Sequence, residues 1–136
     1  MFIRRIVLAV LLGSLYGCAT TGTTPHVTST VLTKSADLVT ARRVPTTVFS
    51  LEDSVVCFVY FQWDDPTKQA GRHRVDWRWY EDGRLVSQGK KNLNFRRTPY
   101  TTWTSRTAGS LGVGHFTVDT AVDGVVAATA QLEIRP

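Results

Sequence analysis

Apolar and polar positions alternate along residues 72–81, RHRVDWRWYE. Val75, Trp77 and Trp79 share one parity; Arg74, Asp76, Arg78 and Tyr80 share the other. Successive side chains of a strand point to opposite faces. The period of two therefore predicts a half-buried strand with both tryptophans in the core and Arg74, Arg78 and Tyr80 turned outward. Asp82-Gly83 follows, then the strand-like RLVSQG of 84–89. Asp-Gly between two such runs predicts a tight hairpin, because a type I′ turn needs positive φ at both central residues.

Residues 54–63, SVVCFVYFQW, are apolar on both parities, as expected of a central strand covered on both faces, and Asp64-Asp65-Pro66 ends the run with a turn signal. The run 37–44 predicts a further strand that stops at Pro45, which has no N–H to give a ladder. After the polar, basic stretch 92–99, YTTWTSRT over 100–107 reads as a strand carrying Trp103. Gly109, Gly112 and Gly114 break the chain. Then Phe116 and Val118 point inward from 115–120, Asp123-Gly124 forms a second hairpin turn, and Val126, Ala128, Ala130, Leu132 and Ile134 alternate inward. No window carries the helical period of 3.6. Seven candidate strands punctuated by turns predict an all-β domain, an antiparallel immunoglobulin-like β-sandwich.

The order Trp77-x-Trp79-Tyr80-x-Asp82-Gly83, Trp103-Thr104-Ser105, Gly114-x-Phe116-x-Val118 and Asp123-Gly124 resembles that of uncharacterised bacterial immunoglobulin-like domains. In those domains W-x-Y-x-G, W-T-S and G-x-W-x-V segments recur before a glycine turn. The likeness covers roughly residues 55–134, with Phe116 standing where tryptophan is commoner. These are scaffold motifs, so the resemblance implies a fold and brings no catalytic residue.

The chain begins MFIRRIVLAVLLGSLYGC: Arg4 and Arg5, a short apolar run, then Leu15, Gly17 and Cys18. A spanning helix takes about 20 apolar residues, so this shorter run reads as an export signal. Leucine three places before a cysteine, with a small residue directly before it, resembles the lipobox of bacterial lipoproteins. The resemblance implies cleavage after residue 17, lipid on Cys18, and attachment to a membrane. Ala19, where aspartate would resemble an inner-membrane retention signal, implies the outer membrane, facing the periplasm. Gly17-Cys18-Ala19 also fits the small-x-small site of ordinary cleavage, which would release a soluble secreted protein. The expected organisation is a signal peptide over 1–17, the lipidated cysteine with a flexible Thr-rich tether over 18–34, and the β-sandwich over 35–136; the alternative within the tether is that Val27 to Leu32 pairs as an edge strand.

Composition sharpens this picture at three points. Cleavage would leave 119 of the 136 residues, enough for one domain and a tether. Without Arg4 and Arg5, 14 Lys and Arg face 11 Asp and Glu, a net charge of +3. That excess is small and dispersed, which sets nucleic-acid binding aside. With Cys18 spent on the anchor, Cys57 stands alone and excludes a disulfide scaffold, so stability rests on the apolar core.

Candidate chemistry is sparse. Cys57 sits mid-strand without a CxxC partner and reads as an inert core thiol. His26, His73 and His115 lack metal-ligand spacing. Asp64, Asp65, Glu81 and Asp82 would gather at one end of the sandwich if their turns lay close together; they lack the regular acidic spacing of a calcium loop and read as turn chemistry. No G-x-S-x-G elbow, H-E-x-x-H pair or phosphate-cradling loop is present, so neither enzymatic activity nor a cofactor is expected. What stands out is the outward parity of Arg74, Arg78 and Tyr80, with Lys90, Lys91, Arg96, Arg97 and Arg106 on later segments. If these converge, they form a basic surface suited to carboxylates or phosphates. The expected role is a small cell-envelope interaction or accessory module with a protein partner. The alternative is a binder of an anionic envelope polymer, peptidoglycan or lipopolysaccharide.

Overall fold

Both Asp-Gly turns form as the sequence requires. Asp82 and Gly83 take φ of 48° and 79°, and Asp123 and Gly124 take 49° and 84°. Two tight hairpins follow from them and organise a computed structural model that describes residues 23–34 and 44–136. The export segment, Cys18 and residues 35–43, which hold nearly all of the expected strand 37–44, lie outside the described residues.

The described residues form β1 (His26–Thr33), β2 (Val48–Ser50), β3 (Ser54–Gln62), β4 (Gly71–Glu81), β5 (Arg84–Phe95), β6 (Tyr100–Thr107), the single turn α1 (Ala108–Leu111), β7 (Gly114–Val122) and β8 (Val125–Arg135). They make two sheets, ordered β1-β3-β6 and β2-β8-β7-β4-β5. All pairs are antiparallel except β2 with β8, which runs parallel along an edge.

The two inner faces meet in a core where Val75, Trp77 and Trp79 of β4 pack with Val55, Cys57, Val59 and Phe61 of β3 and Phe116 and Val118 of β7. Trp77 and Trp79 are 1% and 0% exposed, which confirms the parity read from β4. Burying side chains of this size contributes about 2 to 3 kcal/mol each. Phe95 closes one end of the core, with the rings of Phe61, Trp63 and Tyr100 at 5.0, 6.1 and 4.9 Å. Val56 and Phe58, on the face of β3 away from that core, are buried as well, as the apolar double parity requires.

Three expectations are corrected. The tether expected over 18–34 is too long, because His26–Thr33 is a strand of the sandwich, paired with β3 from His26↔Gln62 to Thr33↔Val56. Threonine is β-branched and suits a pleated surface, while Val27 and Leu32 bury their side chains in the core. A bulge at Thr28 shifts their parity and hides the alternation. Next, β5 runs through 92–95, which read as a polar connection. Finally, Val126 points outward and is 49% exposed. Thr120 pairs with Ala128 but Ala121 with Val126, so Ala127 is an extra residue on β8, and one such residue sends everything beyond it to the other face.

Candidate functional site

Arg74, Arg78 and Tyr80 lie on the face of β4 opposite the core, as expected, but they do not form an open cationic surface. Asp76 stands between the two arginines and is 1% exposed. The Arg74 guanidinium donates to it twice, from Nε and Nη2, both at 2.9 Å, and Arg78 lies at 3.8 Å. Hydrogen bonding from Arg74 holds the Asp76 carboxyl below its ordinary range against the opposing effect of burial, with the Arg74, Arg78 and Lys90 charges adding to it. Across the ladder Arg78 faces Asp119, whose carboxylate accepts from the Thr129 hydroxyl at 2.6 Å. The charges of this face are therefore largely matched within the fold.

The cations of β5 and β6 are arranged differently. These strands are edges of the two sheets, and side chains join them across a seam on one side of the sandwich. Lys91 reaches across it: its ammonium lies 5.5 Å from the Trp77 ring centre and 4.9 Å from that of Trp103, and donates to the Trp103 carbonyl at 2.6 Å. Partial burial lowers the Lys91 pKa below the ordinary lysine value. Further along, Arg106 lies 5.9 Å over Trp79 and donates to the Ser87 hydroxyl and the Ser105 carbonyl, both at 2.7 Å. A guanidinium or ammonium over an indole face is favourable by about 0.5 to 2 kcal/mol, and Gly89 leaves the room: a Cβ there would meet Arg106 Nη2 at 3.0 Å.

Around this seam the sequence is one-sided. Residues 84–107 contain Arg84, Lys90, Lys91, Arg96, Arg97 and Arg106 and no aspartate or glutamate. Among the described residues Lys90, Arg96 and Arg97 form no ion pair, and Arg84 reaches only Glu81, at 3.7 Å. These cations lie along the β5–β6 side rather than around Arg74 and Arg78, but they do not converge on one point: Arg84 stands at the Asp82-Gly83 end of β5, and Arg96 and Arg97 follow its other end. The absence of any acidic residue between Asp82 and Asp119 was the available signal. The role of Lys91 and Arg106 in closing the seam had none, because it depends on which strands become neighbouring edges.

The remaining candidates resolve simply. Cys57 is buried and desolvation pushes its thiol up to about 12, which leaves it unreactive. Trp63 packs on Phe95, which pairs with Gly71, so Asp64 and Asp65 sit at the start of β4 while Glu81 and Asp82 sit at its far end. Ten residues of strand separate these turns by about 33 Å, so the acidic residues do not gather. Asp65 instead caps its own turn through the Thr67 N–H at 3.0 Å. Among the described residues no group of three or more His, Cys, Asp and Glu is placed to hold a metal ion. On the opposite side of the sandwich, a cleft of about 700 Å3 between β1 and β8 is lined by uncharged residues, including Thr30, Thr46, Val48, Thr129 and Gln131.

No protein-family model matches the sequence, and no curated protein does. Among solved structures, an immunoglobulin-like protein from Pseudomonas aeruginosa superposes with a TM-score of 0.51 at 8% identity, over 82% of this chain and 96% of that one. A β-glucosidase from Listeria innocua gives the same TM-score at 11% identity, over 82% of this chain but only 16% of the enzyme. At these identities the likeness is one of fold: the domain is an immunoglobulin-like β-sandwich.

Proposed function

We propose that this chain is a non-catalytic interaction module of the bacterial cell envelope, held to a membrane by lipid on Cys18, with the β5–β6 side docking an anionic partner protein. The observation that carries the docking surface is the run of six cations and no carboxylate from Arg84 to Thr107, spread along the β5–β6 side of an immunoglobulin-like fold. Arg96 and Arg97, exposed and without an ion pair among the described residues, and Lys90, which faces Asp76 without a salt bridge to it, are available to a ligand, whereas Arg74 and Arg78 would first have to leave Asp76. The anchor rests on the sequence pattern at Leu15, Gly17 and Cys18. No helix among the described residues is long and apolar enough to cross a membrane.

The test uses the full chain and its Lys90→Glu, Arg96→Glu, Arg97→Glu variant, probed with poly-L-glutamate, lipopolysaccharide and isolated cell wall. Retention of poly-L-glutamate should fall steeply between low and physiological salt and vanish in the variant, while Arg74→Ala, Arg78→Ala retains it. Preferential binding of lipopolysaccharide or wall would replace the protein partner with an envelope polymer. Cell fractionation with intact mass of Cys18→Ser against the unmutated chain tests the anchor. An unmutated chain that is soluble and carries no lipid mass refutes it.

A further inference from the structure

Two free edges border the seam, and only one of them is closed. Along β6 the outward carbonyls of Trp103 and Ser105 are taken by Lys91 and Arg106 at 2.6 and 2.7 Å. β5 pairs with β4 alone, and among the described residues no backbone group from Arg84 to Asn94 makes a hydrogen bond outside that ladder. A strand edge that presents unpaired N–H and C=O groups is a template for a further strand. Its protections are Lys90 and Lys91, which repel a cationic or like-charged strand but not an acidic one, and a bulge near the hairpin. A bulge at Val86 interrupts the register near the hairpin, but pairing is regular from Ser87↔Trp79 to Phe95↔Gly71, and no proline falls within β5.

Resting on the proposed docking of an anionic partner, we infer that β5 accepts an extended acidic peptide segment as a sixth strand of the larger sheet, paired along Ser87–Asn94. Charge selects the occupant. Lys90 lies opposite Asp76 in the ladder, on the outer face, so a carboxylate at the adjoining outer position of an added strand meets its ammonium, and Arg96 and Arg97 flank the end of the same edge. On the inner face the added strand borders Gly89, Lys91 and Leu93, which stand opposite Trp77, Val75 and His73, a setting for small or apolar side chains. Alternating acidic and apolar residues satisfy both faces at once. A second copy of this chain fits poorly, because two β5 edges would bring Lys90 and Lys91 of each copy together, and like charges directly opposite destabilise a pair.

The experiment measures fluorescence anisotropy of a labelled (Glu-Val)5 peptide against the full chain, beside two versions N-methylated at alternate amides, one set in each register. The parent should bind, and one methylated set should bind at least tenfold more weakly than the other, since only one set faces β5. Backbone amides of β5 should gain exchange protection when the parent binds. Lys90→Glu, with an unchanged circular dichroism spectrum, should lose most of the binding at low salt. Equal binding by the parent and both methylated peptides would overturn strand addition and leave charge-driven docking standing. Failure of all three peptides together with poly-L-glutamate would overturn both. Dimerisation of the chain through β5 in sedimentation, suppressed by Lys90→Glu or not, would overturn the assignment of this edge to an acidic segment.

Discussion

The outer face of β4 and the seam between β5 and β6 are both rich in arginine and lysine, yet the fold treats them in opposite ways. On β4 the cations surround a carboxylate that is 1% exposed, and they serve to keep it ionised inside the protein surface. At the seam the cations meet indole rings and backbone carbonyls, and no acidic residue lies on either strand. A count of basic residues does not distinguish the two. The difference lies in what each cation already touches: the Arg74 guanidinium is bound twice by Asp76, whereas Lys90, which stands opposite Asp76, and Arg96 and Arg97 form no ion pair among the described residues.

The largest effect should come from Trp77, which supports both regions: its backbone carries the β4 register between Asp76 and Arg78, and its ring lies beneath Lys91. Trp77→Ala leaves a large cavity and should cost about 3 to 5 kcal/mol, much of the stability of a domain this size. Arg78→Ala, one position along and on the other face, should cost under about 1 kcal/mol. Similar melting shifts for the two would break the assignment of faces. This parity was legible in the sequence because β4 alternates cleanly and ends on an Asp-Gly turn. β1 was legible only as the alternative of an edge strand over 27–32, because its threonines fall on both faces and Thr28 bulges, and the outward turn of Val126 depends on Ala127, which looks like any other residue of an alternating run.

Asp76 sharpens the contrast next. Asp76→Ala removes the shared acceptor of Arg74 and Arg78 and should destabilise by about 2 kcal/mol; Arg74, half in water, can turn outward and soften the loss expected for a fully buried pair. The same variant should gain affinity for poly-L-glutamate on the β4 face, since it frees two guanidinia. No gain would mean that this face is unsuited to anions for reasons of shape, not of charge compensation. The burial of Asp76 could not be read from sequence: a carboxylate two residues from each of two arginines looks like part of a solvated face until β5 and β7 cover it.

A smaller effect is expected at the seam. Lys91→Met keeps the aliphatic contact with Trp77 and Trp103 but loses the charge and the bond to the Trp103 carbonyl, so thermal stability should fall by about 1 kcal/mol or less. Near-UV circular dichroism should change, because two of the four tryptophans adjoin the ammonium. A spectrum identical to that of the unmutated chain would place Lys91 in solvent and leave the β6 edge as open as that of β5.

The smallest effect is a pH dependence at His73, where the matched charge of β4 meets the second hairpin. Its Nδ1 lies 2.6 Å from the Asp123 carboxylate and its Nε2 lies 2.8 Å from the Ala70 carbonyl, so the imidazolium can donate from both nitrogens. Asp123 also accepts from the Arg74 N–H at 3.0 Å. Burial against the Phe95 ring lowers the His73 pKa, but the bonds to Asp123 and to the Ala70 carbonyl outweigh it, and the value is raised above 6.5. Asp123 is lowered below 3.8, first by its bond from His73 and then by the Arg74 N–H. A raised histidine stabilises fully below the unfolded value near 6.5, and that contribution fades as pH climbs through the folded value. The lowered aspartate contributes above about 3.8 and loses its share as acid titrates it. The pair should therefore help most between about pH 4 and 6.5, by under about 1 kcal/mol because the Asp123 side chain is 55% exposed. His73→Gln should melt below the unmutated chain by a margin that is widest near pH 5.5 and narrows by pH 8.5. A margin constant across that range would show that His73 is held as a neutral hydrogen-bonded ring, and that the charge matching on β4 ends at Arg74.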